Sequence, residues 1–206
     1  MAIFQQIKIN ASEDRLESLI GLRMEPGSNK TEIDERIRDL FEETWAIMFT
    51  DLSGFSRNVA EFGIIHFLQI IYESHRLLIP CINEQDGILL KKEGDSLLVI
   101  FKRPEKAILS AIAMQNVLKE YNEGKQEAEK VLLCVGIGYG KVLKIGDDDV
   151  FGEEVNASSK LGEDTAKAWE ILVTEAAKKE IATEKFSFTE IDAIFTAGKK
   201  NYKLNY

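Results

Sequence analysis

The chain has 206 residues, 45% hydrophobic and 30% charged, with 35 acidic side chains against 26 basic ones and a net charge of −9. That length suits one domain with a real core, and the acidic balance argues against nucleic acid or an anionic membrane as partner. A polyanionic ligand is still compatible with such a chain if a divalent metal bridges the repulsion. No secretory leader is visible after Met1, and the longest apolar stretch, 62 to 72, contains His66 and Gln69 and is too short and polar to span a bilayer. Cys81 and Cys134 lie in apolar surroundings without metal-ligand spacing, so they read as reduced core thiols of a cytoplasmic protein.

Residues 1–44 read as a helical extension that serves packing or dimer support. Ser12 is placed to cap a short helix carrying Leu16, Leu19 and Ile20, and Pro26-Gly27-Ser28-Asn29 breaks it. Thr31 and Asp34 form a variant capping box for a second helix with Ile33, Ile37, Leu40 and Phe41 at helical spacing. An apolar strand then runs from Trp45 to Asp51 and breaks into Leu52-Ser53-Gly54-Phe55. The pattern next predicts a helix from about Asn58 to Ile79, with His66 and His75 on or near its apolar face and no partner at ligand spacing.

Ile88-Leu89-Leu90 and Leu97 to Ile100 flank a Glu93-Gly94 turn, a hairpin that puts Asp95 at a strand start facing Asp51. A helix over Pro104 to Tyr121 follows. Val131 to Ile145 reads as two strands broken near Gly138-Tyr139-Gly140, a short helix starts after Gly152, and Ile171 to Val173 is a strand. Thr174 to Ile181 is helical, and two or three short strands end the chain. The order is that of an α+β, ferredoxin-like βαββαβ core, with helices on one face of an antiparallel sheet and extra C-terminal strands.

Either Asp51 or Asp95 alone reads equally well as a helix cap or turn residue. As a pair, each on a glycine-containing turn beside an apolar strand, they suit a hard divalent cation, with backbone N–H groups nearby for phosphate. Asn156 and Lys160, four apart on the short helix, face one side. Lys91 also reads as half of an exposed Lys91-Lys92 pair, Asp149 as the end of a solvated acidic turn, and Lys160 as a surface lysine.

Four segments in order, Phe49-Thr-Asp-Leu-Ser-Gly-Phe55, Lys91-Lys-Glu-Gly-Asp-Ser-Leu-Leu-Val-Ile-Phe101, Val135-Gly-Ile-Gly-Tyr-Gly-Lys-Val142 and Asp149-Val-Phe-Gly-Glu-Glu-Val-Asn-Ala-Ser-Ser-Lys-Leu161, make residues 44 to 176 resemble the class III nucleotide cyclases, the adenylate and guanylate cyclases. The resemblance implies the class III cyclase fold over 45–206 and conversion of ATP to 3′,5′-cyclic AMP and pyrophosphate. It implies two metal ions, Mg²⁺ or Mn²⁺, held by Asp51, Asp95 and the Leu52 carbonyl. The N–H groups of Leu52, Ser53, Gly54 and Phe55 would hold the β- and γ-phosphates, and Lys199 the terminal phosphates. Asn156 would orient the ribose, and Lys160 would meet the α-phosphate where the family usually has arginine. Lys91 and Asp149 would read the base. A donor beside an acceptor matches adenine and reverses guanine, but cytosine shares adenine's polarity, so CTP stays open. In the family the metal aspartates and the base readers serve one substrate from opposite chains, so a homodimer with two interface sites is implied. The alternatives are a cyclase for CTP, then GTP or UTP, and a non-catalytic nucleotide-binding dimerisation module.

Overall fold

The computed structural model describes residues 11–54, 63–181, 185–192 and 200–206. Two helices, α1 (Ser12–Met24) and α2 (Lys30–Phe41), lead directly into strand β1 (Glu42–Leu52). The helix caps differ from the sequence expectation. Ala11, not Ser12, precedes α1 without a side-chain cap, and Asn29 caps α2 by accepting from the Glu32 N–H. Asp34 instead pairs with Arg23 at 2.6 Å, clipping the two helices together.

Helix α3 (Ile64–Glu84) runs past Pro80 and ends five residues beyond the expected Ile79; residues 58–62 of the expected helix lie outside the described residues. The hairpin β2 (Ile88–Glu93) and β3 (Ser96–Phe101), helix α4 (Pro104–Tyr121) and strand β4 (Leu133–Ile145) follow. Next come β5 (Asp149–Phe151), α5 (Glu153–Ser159), a π-type turn (Lys160–Thr165), β6 (Ile171–Thr174), α6 (Glu175–Glu180), β7 (Ser187–Ile191) and β8 (Asn201–Asn205). The strand order is β2-β3-β1-β4-β6-β8-β7, with β5 hairpinned onto the end of β4. The first four are the ferredoxin-like core in antiparallel array. The β4–β6 pair alone is parallel among the described strands.

β1 is the central strand and buries both faces, as period-two alternation requires. Ala46, Met48 and Leu52 meet Leu78, Ile82, Ile108 and Met114 from α3 and α4 in the main core. Trp45 and Ile47 meet Val142, Val150 and Val155 on the other face. Helices therefore lie on both faces, because α5 covers the side that the expected one-face arrangement leaves bare. Each fully buried Leu, Ile, Met or Phe contributes roughly 1.5–3 kcal/mol, so β1 is the best-anchored strand on which to hang a site.

β4 is not broken at Gly138-Tyr139-Gly140; it pairs with β1 without interruption from Leu133↔Leu52 to Leu143↔Glu42. The glycines have another purpose. Gly136, Gly138 and Gly140 alternate onto the second face, where a Cβ on Gly136 would lie 2.1 Å from the Ser158 carbonyl oxygen and one on Gly138 2.6 Å from that of Glu154. This side-chain-free stripe lets α5 rest on the strand backbone. No described helix is long and apolar enough to cross a membrane.

Candidate active site

The second face carries the candidate site. Asp51 is the penultimate residue of β1, opposite Cys134 of β4, and shares the alternation of Ile47 and Phe49. Asp95 sits in the β2–β3 hairpin. The turn residues are Gly94-Asp95, since Glu93 pairs with Ser96, so the turn falls one residue later than the Glu93-Gly94 expectation. Gly94 has φ +61° with open space around it, so glycine is needed there for backbone conformation. The turn swings Asp95 back toward the end of β1, where its carboxyl lies near the Leu52 N–H and Asp51.

These two half-buried carboxyls oppose each other electrically. Desolvation, then the Asp95 charge, pushes Asp51 up to about 6, with Glu163 adding to the rise and a hydrogen bond from Ser96 Oγ at 3.3 Å acting against it. Desolvation also raises Asp95. Near neutral pH the pair holds more negative charge than its surroundings favour, a condition a divalent cation relieves. Among the described residues no cluster of three His, Cys, Asp or Glu converges. Two carboxylates without a third His, Cys, Asp or Glu beside them fit Mg²⁺ or Mn²⁺, which bind through one or two carboxylates and fill the rest of the shell from other oxygens, water and substrate phosphates.

The amide cradle is narrower than expected. The Leu52 N–H is turned to the carboxylates, and the Ser53 N–H donates to the Leu132 carbonyl at 2.8 Å. Ser53 is thereby removed as an amide donor to phosphate, because strand pairing with β4 uses its only N–H. Gly54, at φ +90°, remains in the turn, whereas Phe55 and Lys199 lie outside the described residues.

Lys91 and Asp149 are brought together across 58 positions of sequence. Lys91 Nζ is 2.6 Å from Asp149 Oδ2, while Asp149 Oδ1 accepts from the Val150 N–H at 2.8 Å. Two features arrange this. The β2–β3 register shifts between Leu89 and Lys91, and the resulting bulge re-aims Lys91. The turn after Ile145 makes Asp149 the first residue of β5, not the end of a solvated acidic run. The hydrogen bond to Asp149 raises the Lys91 pKa, so the ammonium stays charged. A cavity of about 140 Å³ opens here, bordered by Phe49, Ser96, Leu98, Val155 and Glu163 as well as this pair. Ser96 touches both the cavity and Asp51, so the carboxylate pair and the Lys91–Asp149 pair are neighbours within one chain.

Asn156 lies on α5 and Lys160 opens the π-type turn; both are exposed. The opposite side of α5 is anchored by Glu154, a buried carboxylate accepting from Thr174 Oγ1 at 2.7 Å and from the Tyr139 N–H at 3.2 Å. Sequence reasoning missed Glu154, Ser96 and Glu163. Ser96 was signalled by its place beside Asp95, but Glu154 and Glu163 are single acidic residues with no spacing to set them apart. His75 is half-buried, with its pKa lowered by desolvation and then by Lys92, as expected of a packing histidine.

The family model for the adenylate and guanylate cyclase catalytic domain matches residues 41–206, and the chain belongs to that family. It is 32% identical over 130 residues to a Myxococcus xanthus protein named serine/threonine-protein kinase pkn2, covering 63% of this chain and 15% of that one. It is 27% identical over 116 residues to putative adenylate cyclase 3 of Rhizobium meliloti (strain 1021), covering 56% of this chain and 20% of that one. The chain therefore spans only a small part of the curated relatives it matches. Its fold is similar to an adenylate/guanylate cyclase/hydrolase from Silicibacter pomeroyi at TM-score 0.67 and 21% identity, covering 80% of this chain and 98% of that one.

Proposed function

We propose that this domain converts ATP to 3′,5′-cyclic AMP and pyrophosphate as a homodimer with two sites, each using the carboxylates of one chain and the base readers of the other. The observation that carries the nucleotide choice is the Lys91–Asp149 pair, a fixed donor beside a fixed acceptor at a cavity mouth. Adenine presents the matching acceptor at N1 and donor at its 6-amino group. The exposure of Asn156 and Lys160 suits residues that complete a site across an interface.

In the reaction the ribose 3′-oxygen attacks the α-phosphorus in line and pyrophosphate leaves. Bound Mg²⁺ or Mn²⁺ would lower the pKa of the 3′-hydroxyl and neutralise the leaving phosphates. Asp51 and Asp95, with the Leu52 carbonyl, would hold these ions, and Gly54 gives the triphosphate close backbone approach. Asn156 orients the ribose. Lys160 puts a positive charge at the α-phosphate, with less directional hold than an arginine fork. Lys91 and Asp149 open their mutual bond to take the base edge between them.

A second reading rests on the same pair, since cytosine offers the same polarity and makes CTP the next candidate. The discriminating experiment measures pyrophosphate and cyclic product from ATP, GTP, CTP and UTP with Mn²⁺ at a dimer-favouring concentration. Product from ATP alone supports the reading, and product chiefly from CTP moves it to the pyrimidine. Triphosphate binding without product from any of the four would leave a non-catalytic module.

A further inference from the structure

A larger cavity, about 560 Å³, lies away from the carboxylates, between the α1–α2 helix pair and the β4–β5 hairpin. Its size falls within the range of small-ligand pockets, and its walls are mostly apolar. Leu16 and Ile20 of α1 form one side, and Val142, Leu143 and Phe151 the other. The apolar side chains are incompletely covered: Phe151 is 52% exposed and Ile20 41% exposed. α1 itself buries only Leu19 fully. The rim holds three cations, Arg23, Arg38 and Lys141, against two carboxylates, Asp34 and Glu42.

Two of those cations are already used. Arg23 pairs with Asp34 and Lys141 with Glu42, each at 2.6 Å. Arg38 makes no ion pair within 4 Å among the described residues; it acts on Asp34 only at longer range, and Asp34 is already held by Arg23. An apolar recess whose rim carries a guanidinium outside any close ion pair is complementary to a small molecule with an apolar body and a single anionic head. A concave pocket of this volume fits such a molecule better than the flat face of a partner protein.

We propose that this groove is a second ligand site, taking a small amphipathic monoanion whose chain lies along Leu16, Ile20 and Phe151 and whose carboxylate meets Arg38. The site is positioned to report its occupancy. Phe151 and Gly152 line the groove and directly join Asp149 to the start of α5, so the ligand touches the backbone between the base reader and Asn156. The proposal concerns binding and does not depend on which nucleotide the domain uses.

The test is calorimetric titration of the full chain with decanoate, and with decanol as its uncharged counterpart, both in the submillimolar range. The expected result is one decanoate per chain, with decanol at least tenfold weaker. Arg38→Gln should weaken decanoate at least tenfold while leaving decanol unchanged. Ile20→Glu, at an exposed helix position that tolerates polarity, should remove both. Equal binding of the two ligands, or decanoate binding unaffected by Arg38→Gln, overturns the anionic clamp. Failure of the wild-type chain to bind decanoate overturns the proposal outright, and if Ile20→Glu also converts a dimer to a monomer in sedimentation, the groove is an interface between copies.

Discussion

The carboxylate pair and the Lys91–Asp149 pair adjoin through Ser96, yet they are opposite kinds of electrostatic object. Asp51 and Asp95 are like charges drawn together by a hairpin turn; desolvation lifts both above their ordinary range, and the Asp95 charge adds to the rise of Asp51. Lys91 and Asp149 are unlike charges that satisfy one another at 2.6 Å. The Asp51–Asp95 pair holds an unmet demand for positive charge. The Lys91–Asp149 pair, which in the proposed dimer serves the other site, is closed on itself until a ligand offers the same two hydrogen bonds. The triphosphate end should therefore dominate affinity through metal, whereas the base end should dominate selectivity through exchange of partners.

The strongest way to break this contrast is Asp51→Ala, expected to reduce turnover to background in the pyrophosphate assay. Full activity in that variant would remove Asp51 from the metal set. Next is Lys91→Glu, which sets two acceptors side by side; kcat/KM for ATP should fall by about 10²-fold, the value of one or two lost charge-assisted hydrogen bonds, with GTP use rising. An unchanged base preference would take Lys91 out of the base pocket. Lys160→Ala should lower kcat by up to about 10²–10³-fold, the usual range for a lost charge stabiliser, and Lys160→Arg should raise it above wild type.

Gly136→Ala tests the platform that carries Asn156 and Lys160. Its Cβ would meet the backbone of Ser158 and Gly162, so a loss of about 1–3 kcal/mol in denaturant unfolding is expected from overpacking, accompanied by a rise in KM. Wild-type stability in that variant would show that α5 does not rest on the stripe. The smallest effect is on pH dependence. Because the folded-state pKa of Asp51, about 6, lies above its ordinary value of 3.8, its contribution to stability is fully present below pH 3.8 and is lost as pH rises through about 6. The metal-free Tm should carry a falling component over that window, which Asp51→Asn removes. Mn²⁺ at pH 8 should restore it by binding only the folded state; a Tm indifferent to Mn²⁺ would contradict a metal site at this pair.

Much of this architecture was legible because it follows from periodicity. β1, the β2–β3 hairpin, α4 and the ferredoxin-like order are written in runs of apolar residues punctuated by glycine. The four ordered motifs likewise named the family. What periodicity conceals is close backbone approach. Gly136, Gly138 and Gly140 read as a break because glycine is the commonest mark of a turn, and only the position of α5 shows why side chains are missing there. Ser53 read as a phosphate donor because sequence cannot tell that Leu132 takes its N–H. Lys91 and Asp149 are linked by a bulge and a turn separated by 58 positions, and neither feature has a hydrophobic signature.

The bulge at Leu90 has a further consequence, for solubility. β2 ends the strand order and pairs only with β3 among the described strands, so one row of its backbone groups is available to a stray chain. A kink followed by Lys91-Lys92-Glu93 is a common way for an edge strand to resist stacking into larger sheets. The same few residues that aim Lys91 at the cleft thus also guard the margin of the sheet. Changes made there to alter nucleotide choice will alter the tendency to aggregate as well.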